Sequence, residues 1–216
     1  MGTLASLAPG RFILACAIGG DERQFAGVGA DHSRRPHFEA GLDIIRRLLC
    51  GETVPADGPY RVREAVVSPV PPEPVEVWVG GTAERAVDRA ARLGDGFLAD
   101  AHLTPHQARG VLDLYRERAA AHGRTPRALA IRRDIHVGAD DLDAQRVAGP
   151  LVAAGYRGFD PSACVHRGVE PVAQRFRQYA AMGYTDLIVR HLAEDQGDVL
   201  KSYERLAEVR RLVRVA

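Results

Sequence analysis

The stretch from Val75 to Leu98, VEVWVGGTAERAVDRAARLGDGFL, constrains the fold more than any other part of the chain. A β-branched strand is followed by a glycine pair, an alanine-rich helical stripe and a second apolar segment. This is the order of a βαβ unit in a parallel sheet. We predict Thr82 as the N-cap of the helix and Gly94 as the residue that closes it.

The glycine pair at this turn predicts a phosphate-binding site. Gly80 and Gly81 allow a ligand to approach main-chain N–H donors that a Cβ atom would shield. The first N–H groups of a helix lack intrahelical partners and its dipole is positive there, so Gly81, Thr82 and Ala83 are expected to hold a phosphate without a lysine. The same pattern also fits a strand-to-helix turn that binds nothing. The third glycine of the GxGxxG motif is missing, which weakens a nicotinamide dehydrogenase alternative.

Length and charge exclude several classes of protein. The chain has 216 residues, enough for one domain with a real core, and its 29 basic and 28 acidic residues are interleaved. We therefore predict no nucleic-acid or membrane partner. Three widely spaced cysteines, Cys16, Cys50 and Cys164, predict free thiols in a cytoplasmic protein. Arginine far exceeds lysine, which is typical of a GC-rich bacterial gene.

Strands alternate with helices along the whole chain. Five strands are predicted, at Arg11–Ile18, Val75–Val79, Gly96–Ala99, Leu129–Val137 and Asp186–Val189. Helices are predicted from about Ser33 to Cys50, after Thr82, from Thr104 to about His122, near Leu142 to Ala154, from about Glu170 to Met182, and along Leu200, Tyr203, Leu206 and Ala207. A proline-rich excursion with a hairpin signal at Asp57-Gly58 lies between the first two strands. This order predicts an α/β fold with a parallel sheet.

Four blocks resemble, in order, the luciferase-like monooxygenases, which are (β/α)8 flavin- or F420-dependent oxidoreductases. They are LASLAPGRFILACAIGGDERQF, RRLLCGETV, PPEPVEVWVGGTAERAVDRAARLGDGF and GYTDLIVRHLAEDQGDVLKSYERLAE. The resemblance covers the C-terminal two thirds of the family and implies a partial TIM barrel, strands four to eight of the luciferase-like fold. It implies FMN or coenzyme F420 as the cofactor, with the phosphate at Gly80, Gly81, Thr82 and Ala83. Gly19, after the fourth strand, is a further expected contact, although bacterial luciferase has an arginine where this chain has Ile18.

The resemblance also implies what the chain does. We expect residues 1–216 to form a single, N-terminally truncated luciferase-like domain that acts as an oxidoreductase or monooxygenase on a small organic substrate. No catalytic residue can be placed, because the resemblance implies that residues flanking the isoalloxazine ring, including the catalytic histidine of several F420-dependent members, belong to strands one to three. The alternative is a catalytically incomplete fragment or a non-catalytic interaction subunit of the same fold. Five strands cannot close a barrel, so a homo-oligomer or a partner chain is expected to cover the open sheet edges.

Three further groups of polar residues have more ordinary interpretations. Asp100, His102 and His106 do not form a helical metal-ligand pair, since a helix start separates the histidines, and no metal site is predicted. Asp100 and His102 follow the end of a strand, where they could line a substrate site or belong to a solvated loop. The run Arg132–Asp134 favours a structural ion pair over catalysis. Arg190 and His191 end the last strand and could meet a phosphate or a substrate anion.

Overall fold

A computed structural model describes residues 1–19, 22–27, 29, 34–56 and 59–214. The chain divides into two compact units, Met1–Trp78 and Val79–Ala216. The first unit contains α1 (Gly2–Leu7), β1 (Ile13–Cys16), α2 (Glu22–Gly27), α3 (Arg34–Leu49), β2 (Val54–Ala56), β3 (Val62–Ala65) and the start of β4 (Glu76–Gly80). The second contains the end of β4, then α4 (Glu84–Leu93), β5 (Gly96–Ala99), α5 (Pro105–Ala121), β6 (Ala128–Val137), α6 (Asp141–Ala153), β7 (Val165–Arg167), α7 (Val169–Met182), β8 (Asp186–His191) and α8 (Gln196–Arg214).

In the first unit, the amphipathic helix α3 buries Leu42 and Leu49. It ends just before Gly51, whose φ of +82° lies in the left-handed region that favours glycine. The predicted excursion does contain a hairpin, because β2 and β3 pair antiparallel. The turn signal Asp57-Gly58 and the predicted helix start at Ser33 lie outside the described residues. The first predicted strand is shorter than expected, with β1 covering four residues.

The second unit is built around the ten-residue strand β6. Both β5 and β8 pair in parallel with β6 at Ala130 and Ile131, so they occupy its two opposite edges. The short strand β7 pairs farther along, at Ile135 to Val137, on the same edge as β5. β7 is not among the five predicted strands, because its three residues follow a loop rich in glycine, proline and serine and carry no periodicity. The predicted α/β order with a parallel sheet is otherwise present.

The apolar core of this unit lies between β6, β7, α7 and α8, where Ile135, Val137, Val165, Phe176 and Val209 are buried. Burial of these five side chains provides the main favourable term for docking the two helices.

The last predicted helix is present, but two of the apolar residues that mark it in the sequence do not face the core. α8 turns Ser202 and Val209 inward, whereas Leu200 and Tyr203 are 53% and 64% exposed. A polar contact sets this orientation, because the buried Ser202 Oγ accepts a hydrogen bond of 2.8 Å from Val137 N at the end of β6. Among the described residues, no helix is both long enough and apolar enough to cross a membrane.

Candidate functional site

The glycine turn joins the end of β4 to the start of α4. The helix begins at Glu84, and its N-cap is Ala83, which has no side chain able to cap. Ala83 O accepts from Ala86 N and Val87 N at 2.8 and 2.9 Å. The backbone N–H groups of Glu84 and Arg85 therefore lie ahead of the first helical hydrogen bond and are available to an anion.

The start of α4 differs from the prediction, whereas its end does not. Thr82 lies one residue before the cap, so its hydroxyl does not cap the helix. Gly94 ends the helix as predicted, as its C-cap, with a φ of −80° that lies outside the left-handed region. A Cβ atom on Gly94 would instead lie 2.6 Å from Gly96 O and 2.9 Å from Ala90 O, which shows that close backbone approach requires the glycine.

Gly81 has a steric role within the turn. A Cβ atom at this position would lie 2.6 Å from the Cβ of Ala86, closer than real Cβ contacts. It would also lie 3.2 Å from the carbonyl carbon of Ala86. The absence of a side chain at Gly81 is therefore what allows the chain to pass directly over the first turn of α4.

The predicted cofactor-binding residues fall into both units. Gly80, Gly81, Thr82 and Ala83 are consecutive in the second unit, and Gly80 is buried. Gly19 belongs to the first unit, where an added Cβ would lie 3.3 Å from the ring of Phe25.

Charged side chains link the helix of this turn to its neighbour α5. Glu84, in the first turn of α4, pairs with Arg118 at 2.6 Å, and Asp88 lies 2.9 Å from His122. The Glu84 carboxylate is thus drawn to a guanidinium group, which reduces its repulsion of an anion at the start of the helix.

After β5, the chain follows the predicted course. Thr104 Oγ1 accepts from Gln107 N at 3.3 Å, and Gln107 Oε1 accepts from Thr104 N at 2.9 Å, which confirms the capping box. Asp100 and His102 lie 3.6 Å apart and are about half exposed. Within the described ranges, no three His, Cys, Asp or Glu side chains are grouped so that they could hold a metal ion.

The predicted ion pair in β6 is present. Arg132 lies 3.1 Å from Asp134, whose side chain is 1% exposed. The hydroxyl of Tyr156 also donates to Asp134, at 2.8 Å, and burial raises the pKa of this tyrosine. Sequence reasoning missed Tyr156, because the contact joins β6 to a turn 22 residues away.

Arg133 was predicted only as part of this ion pair, but it has a different environment. Its side chain is fully buried, and Nη1 donates to the backbone carbonyls of Leu103 at 2.7 Å, Ala101 at 3.2 Å and Ala163 at 3.3 Å. The guanidinium carbon lies 4.8 Å from the ring centroid of Tyr179. Burial lowers the pKa of Arg133. This side chain therefore holds the loop that follows β5 at the carboxyl end of the sheet.

The end of the last strand also differs from the expected anion contact. His191 Nδ1 lies 2.8 Å from Ser202 Oγ, so this histidine faces α8, whereas Arg190 is exposed. The neighbouring His136 is 1% exposed, and neither of its ring nitrogens has a hydrogen-bond partner among the described residues. Burial lowers the pKa of both histidines. Burial therefore favours the neutral form of both side chains.

Comparison with known proteins identifies the family. The luciferase-like monooxygenase family matches residues 1–212. The chain belongs to this family. The predicted membership and the predicted enzyme class, a luciferase-like oxidoreductase or monooxygenase, are confirmed.

One curated relative is the F420-dependent glucose-6-phosphate dehydrogenase of Beutenbergia cavernae. It is 28% identical over 240 residues, which cover 93% of this chain and 69% of the relative.

Two solved structures share the fold. An F420-dependent secondary alcohol dehydrogenase, solved with an F420-acetone adduct, matches 98% of this chain and 72% of its own, with a TM-score of 0.73 and 19% identity. The oxygenating constituent of 3,6-diketocamphane monooxygenase from Pseudomonas putida, solved with FMN, matches 96% and 72%, with a TM-score of 0.71 and 17% identity. These matches confirm the predicted fold class, a partial TIM barrel of the luciferase-like type. F420 and FMN are also the two cofactors predicted from the sequence. The prediction of one truncated domain over 1–216 stays a prediction.

Proposed function

We propose that this chain binds FMN or coenzyme F420 through the glycine turn and acts as an oxidoreductase or monooxygenase on a small organic substrate. Family membership over residues 1–212 carries the proposal. The geometry of the turn supports it, because α4 starts without a side-chain cap and offers the N–H groups of Glu84 and Arg85 to a phosphate.

In this proposal the cofactor and the protein have separate roles. When bound, the cofactor supplies the hydride or oxygen chemistry, and the protein orients it and excludes water. Gly80, Gly81, Thr82 and Ala83 provide backbone that closely approaches the phosphate. Arg133 holds the loop after β5, from which Asp100 and His102 are placed to line the substrate side of the site.

A cofactor titration tests this function. FMN and F420 are each titrated into the protein while cofactor fluorescence is followed, and the same titration is repeated with Gly81→Ala and Gly110→Ala. Gly110 is the matched control, because it lies in α5 and an added Cβ would meet nothing within 4 Å. We expect tight binding of one cofactor, weakened in Gly81→Ala and unchanged in Gly110→Ala. Failure of the unaltered protein to bind either cofactor would overturn the proposal.

A second candidate, an interaction subunit, is favoured by the open side of β8 and α8. In the second unit β8 pairs with β6 along one edge, and no other described strand of that unit pairs with it along the opposite edge. Ile188 on β8 is 36% exposed, and α8 presents the exposed Leu200 and Tyr203 described above. A groove of about 470 Å³ runs along α8 and ends in three arginines, Arg210, Arg211 and Arg214.

We therefore propose that a second polypeptide, or a second copy of this chain, covers the β8 edge and the α8 face. An uncovered edge of this kind invites strand pairing, and an apolar strip beside it adds to the driving force. Light scattering coupled to size-exclusion chromatography tests this, with Tyr203→Glu as the variant and Tyr60→Glu, an exposed tyrosine of the first unit, as the control. A monomeric protein that Tyr203→Glu leaves unchanged would contradict self-association.

A further inference from the structure

A second groove, separate in sequence from the glycine turn, runs between the β7 segment and α7. It encloses about 450 Å³ within the second unit. The β7 side contributes Ser162, His166 and Arg167, and the α7 side contributes Gln174, Arg175 and Gln178. The residues from α7 recur at helical spacing, with Pro171 one turn earlier, so a single face of the helix forms that wall.

The lining of this groove is cationic. It contains two guanidinium groups and no carboxylate. Arg175 makes no hydrogen bond or ion pair with any residue that the structure describes. Arg167 Nη1 donates to the backbone carbonyl of His166 at 3.2 Å, and Arg167 Nε lies 3.9 Å from Asp141. By contrast, Arg177 on the same helix is paired with Glu170 at 2.6 Å. Arg175 is therefore a guanidinium group in the wall of this groove without a partner among the described residues.

Two carboxylates beside the groove lining accept hydrogen bonds from other groups. Asp160 accepts hydrogen bonds from both Ser162 N and Ser162 Oγ, at 2.8 and 2.6 Å. Asp141 accepts from the backbone N of Gly168 at 2.8 Å. Within the described part of the chain, neither carboxylate forms an ion pair with Arg175.

The remaining lining groups suit an organic ligand that carries an anionic group. Gln174 and Gln178 are exposed and add amide donors. Val165, Pro161 and Pro171 add apolar surface. The Nε2 atom of His166 lies 3.2 Å from Gln145 Oε1, which leaves Nδ1 without a partner among the described residues. Because this nitrogen is buried, the amides and the arginines are the polar groups that can reach a ligand.

We propose that this groove binds a small organic anion whose phosphate or carboxylate group pairs with Arg167 and Arg175. The planar guanidinium fork pairs with both kinds of oxyanion through two parallel hydrogen bonds. Gln174 and Gln178 donate to the remaining oxygens, and the organic body lies against Val165 and Pro171. This site is independent of the cofactor function proposed above.

Nuclear magnetic resonance titration of the whole, cofactor-free chain tests the proposal. Phenyl phosphate, benzoate and the neutral benzyl alcohol are added separately to ¹⁵N-labelled protein. We expect at least one of the two anions, but not the alcohol, to shift resonances between residues 161 and 178. The anion that binds more tightly identifies phosphate or carboxylate as the preferred group.

Variants then assign the binding to the arginines. Arg175→Gln should raise the dissociation constant of the anion about tenfold, which corresponds to loss of one charge-assisted hydrogen bond. The matched control Arg109→Gln removes the same charge from an exposed position on α5 and should leave binding unchanged. Equal affinities of these two variants would overturn the proposal. So would the absence of shifts with both anions, or shifts confined to residues 80–86, which would place the anion at the glycine turn instead.

Discussion

Substitution of Gly81 by alanine tests whether a side chain at this position collides with the first turn of α4. The added methyl would lie 2.6 Å from the Cβ of Ala86, and it would lie 3.2 and 3.3 Å from the carbonyl carbon and oxygen of that residue. The φ of Gly81 is outside the left-handed region, so the whole effect is a collision and not a backbone preference. Inserting a methyl group into packed surroundings costs about 1–3 kcal/mol, and the first turn of α4 must move to accept it.

A second substitution separates this collision from any other cause. Ala86→Gly alone should lower the free energy of unfolding by about 1 kcal/mol, because glycine is a poor helix former. In the double variant the nearest contact disappears, and only the two longer contacts to the backbone remain. We therefore expect the double variant to be more stable than the sum of the single effects by about 1 kcal/mol, within the range of coupling between touching residues.

Urea unfolding followed by circular dichroism measures the free energy of unfolding of each variant, and the curves are fitted with one common slope m. Gly110→Ala serves as the control and should stabilise α5 by about 0.5–1 kcal/mol, since nothing lies near its added methyl. Additive effects of Gly81→Ala and Ala86→Gly, to within about 0.3 kcal/mol, would refute the collision. Unchanged stability of Gly81→Ala would refute it equally.

Three other substitutions or conditions test the supporting structure. In urea unfolding, Arg133→Met should lower the free energy of unfolding by about 3 kcal/mol, because the carbonyls of Ala101 and Leu103 lose a buried charged donor. Arg133→Lys should recover part of this loss. An effect of Arg133→Met below about 1 kcal/mol would contradict the structural role of Arg133. Thr104→Ala should cost about 1 kcal/mol by removing the capping box, and Thr104→Ser should restore most of it. Burial lowers the pKa of His136 in the folded state, so the folded protein binds fewer protons than the unfolded one and stability should fall as the pH drops below about 6.5. Urea unfolding at a series of pH values checks this, and His136→Phe should flatten the profile between pH 7 and 5.

Local signals in the sequence predicted the individual elements well. The capping box at Thr104 and the helix that follows it depend on residues within four positions of each other, so the sequence contains all the information they need. The N-cap at Thr82 was wrong for a related reason. A glycine pair can end the strand at more than one place, and the helix here begins two residues after the threonine. The role of the turn in holding a phosphate stays a prediction from sequence and family.

The sequence alone determined the α/β order, the family and the glycine turn, because each depends on short-range periodicity or on blocks of consecutive residues. The tertiary structure alone decided which side chains became structural. Arg133 is held by carbonyls about 30 residues away in sequence, and Ser202 orients α8 through a contact with Val137 over 65 residues. The unpaired Arg175 likewise emerges only when α7 lies against β7. Hydrogen-bond partners of buried groups are chosen by the packing of distant segments, and no local pattern in the chain records that choice.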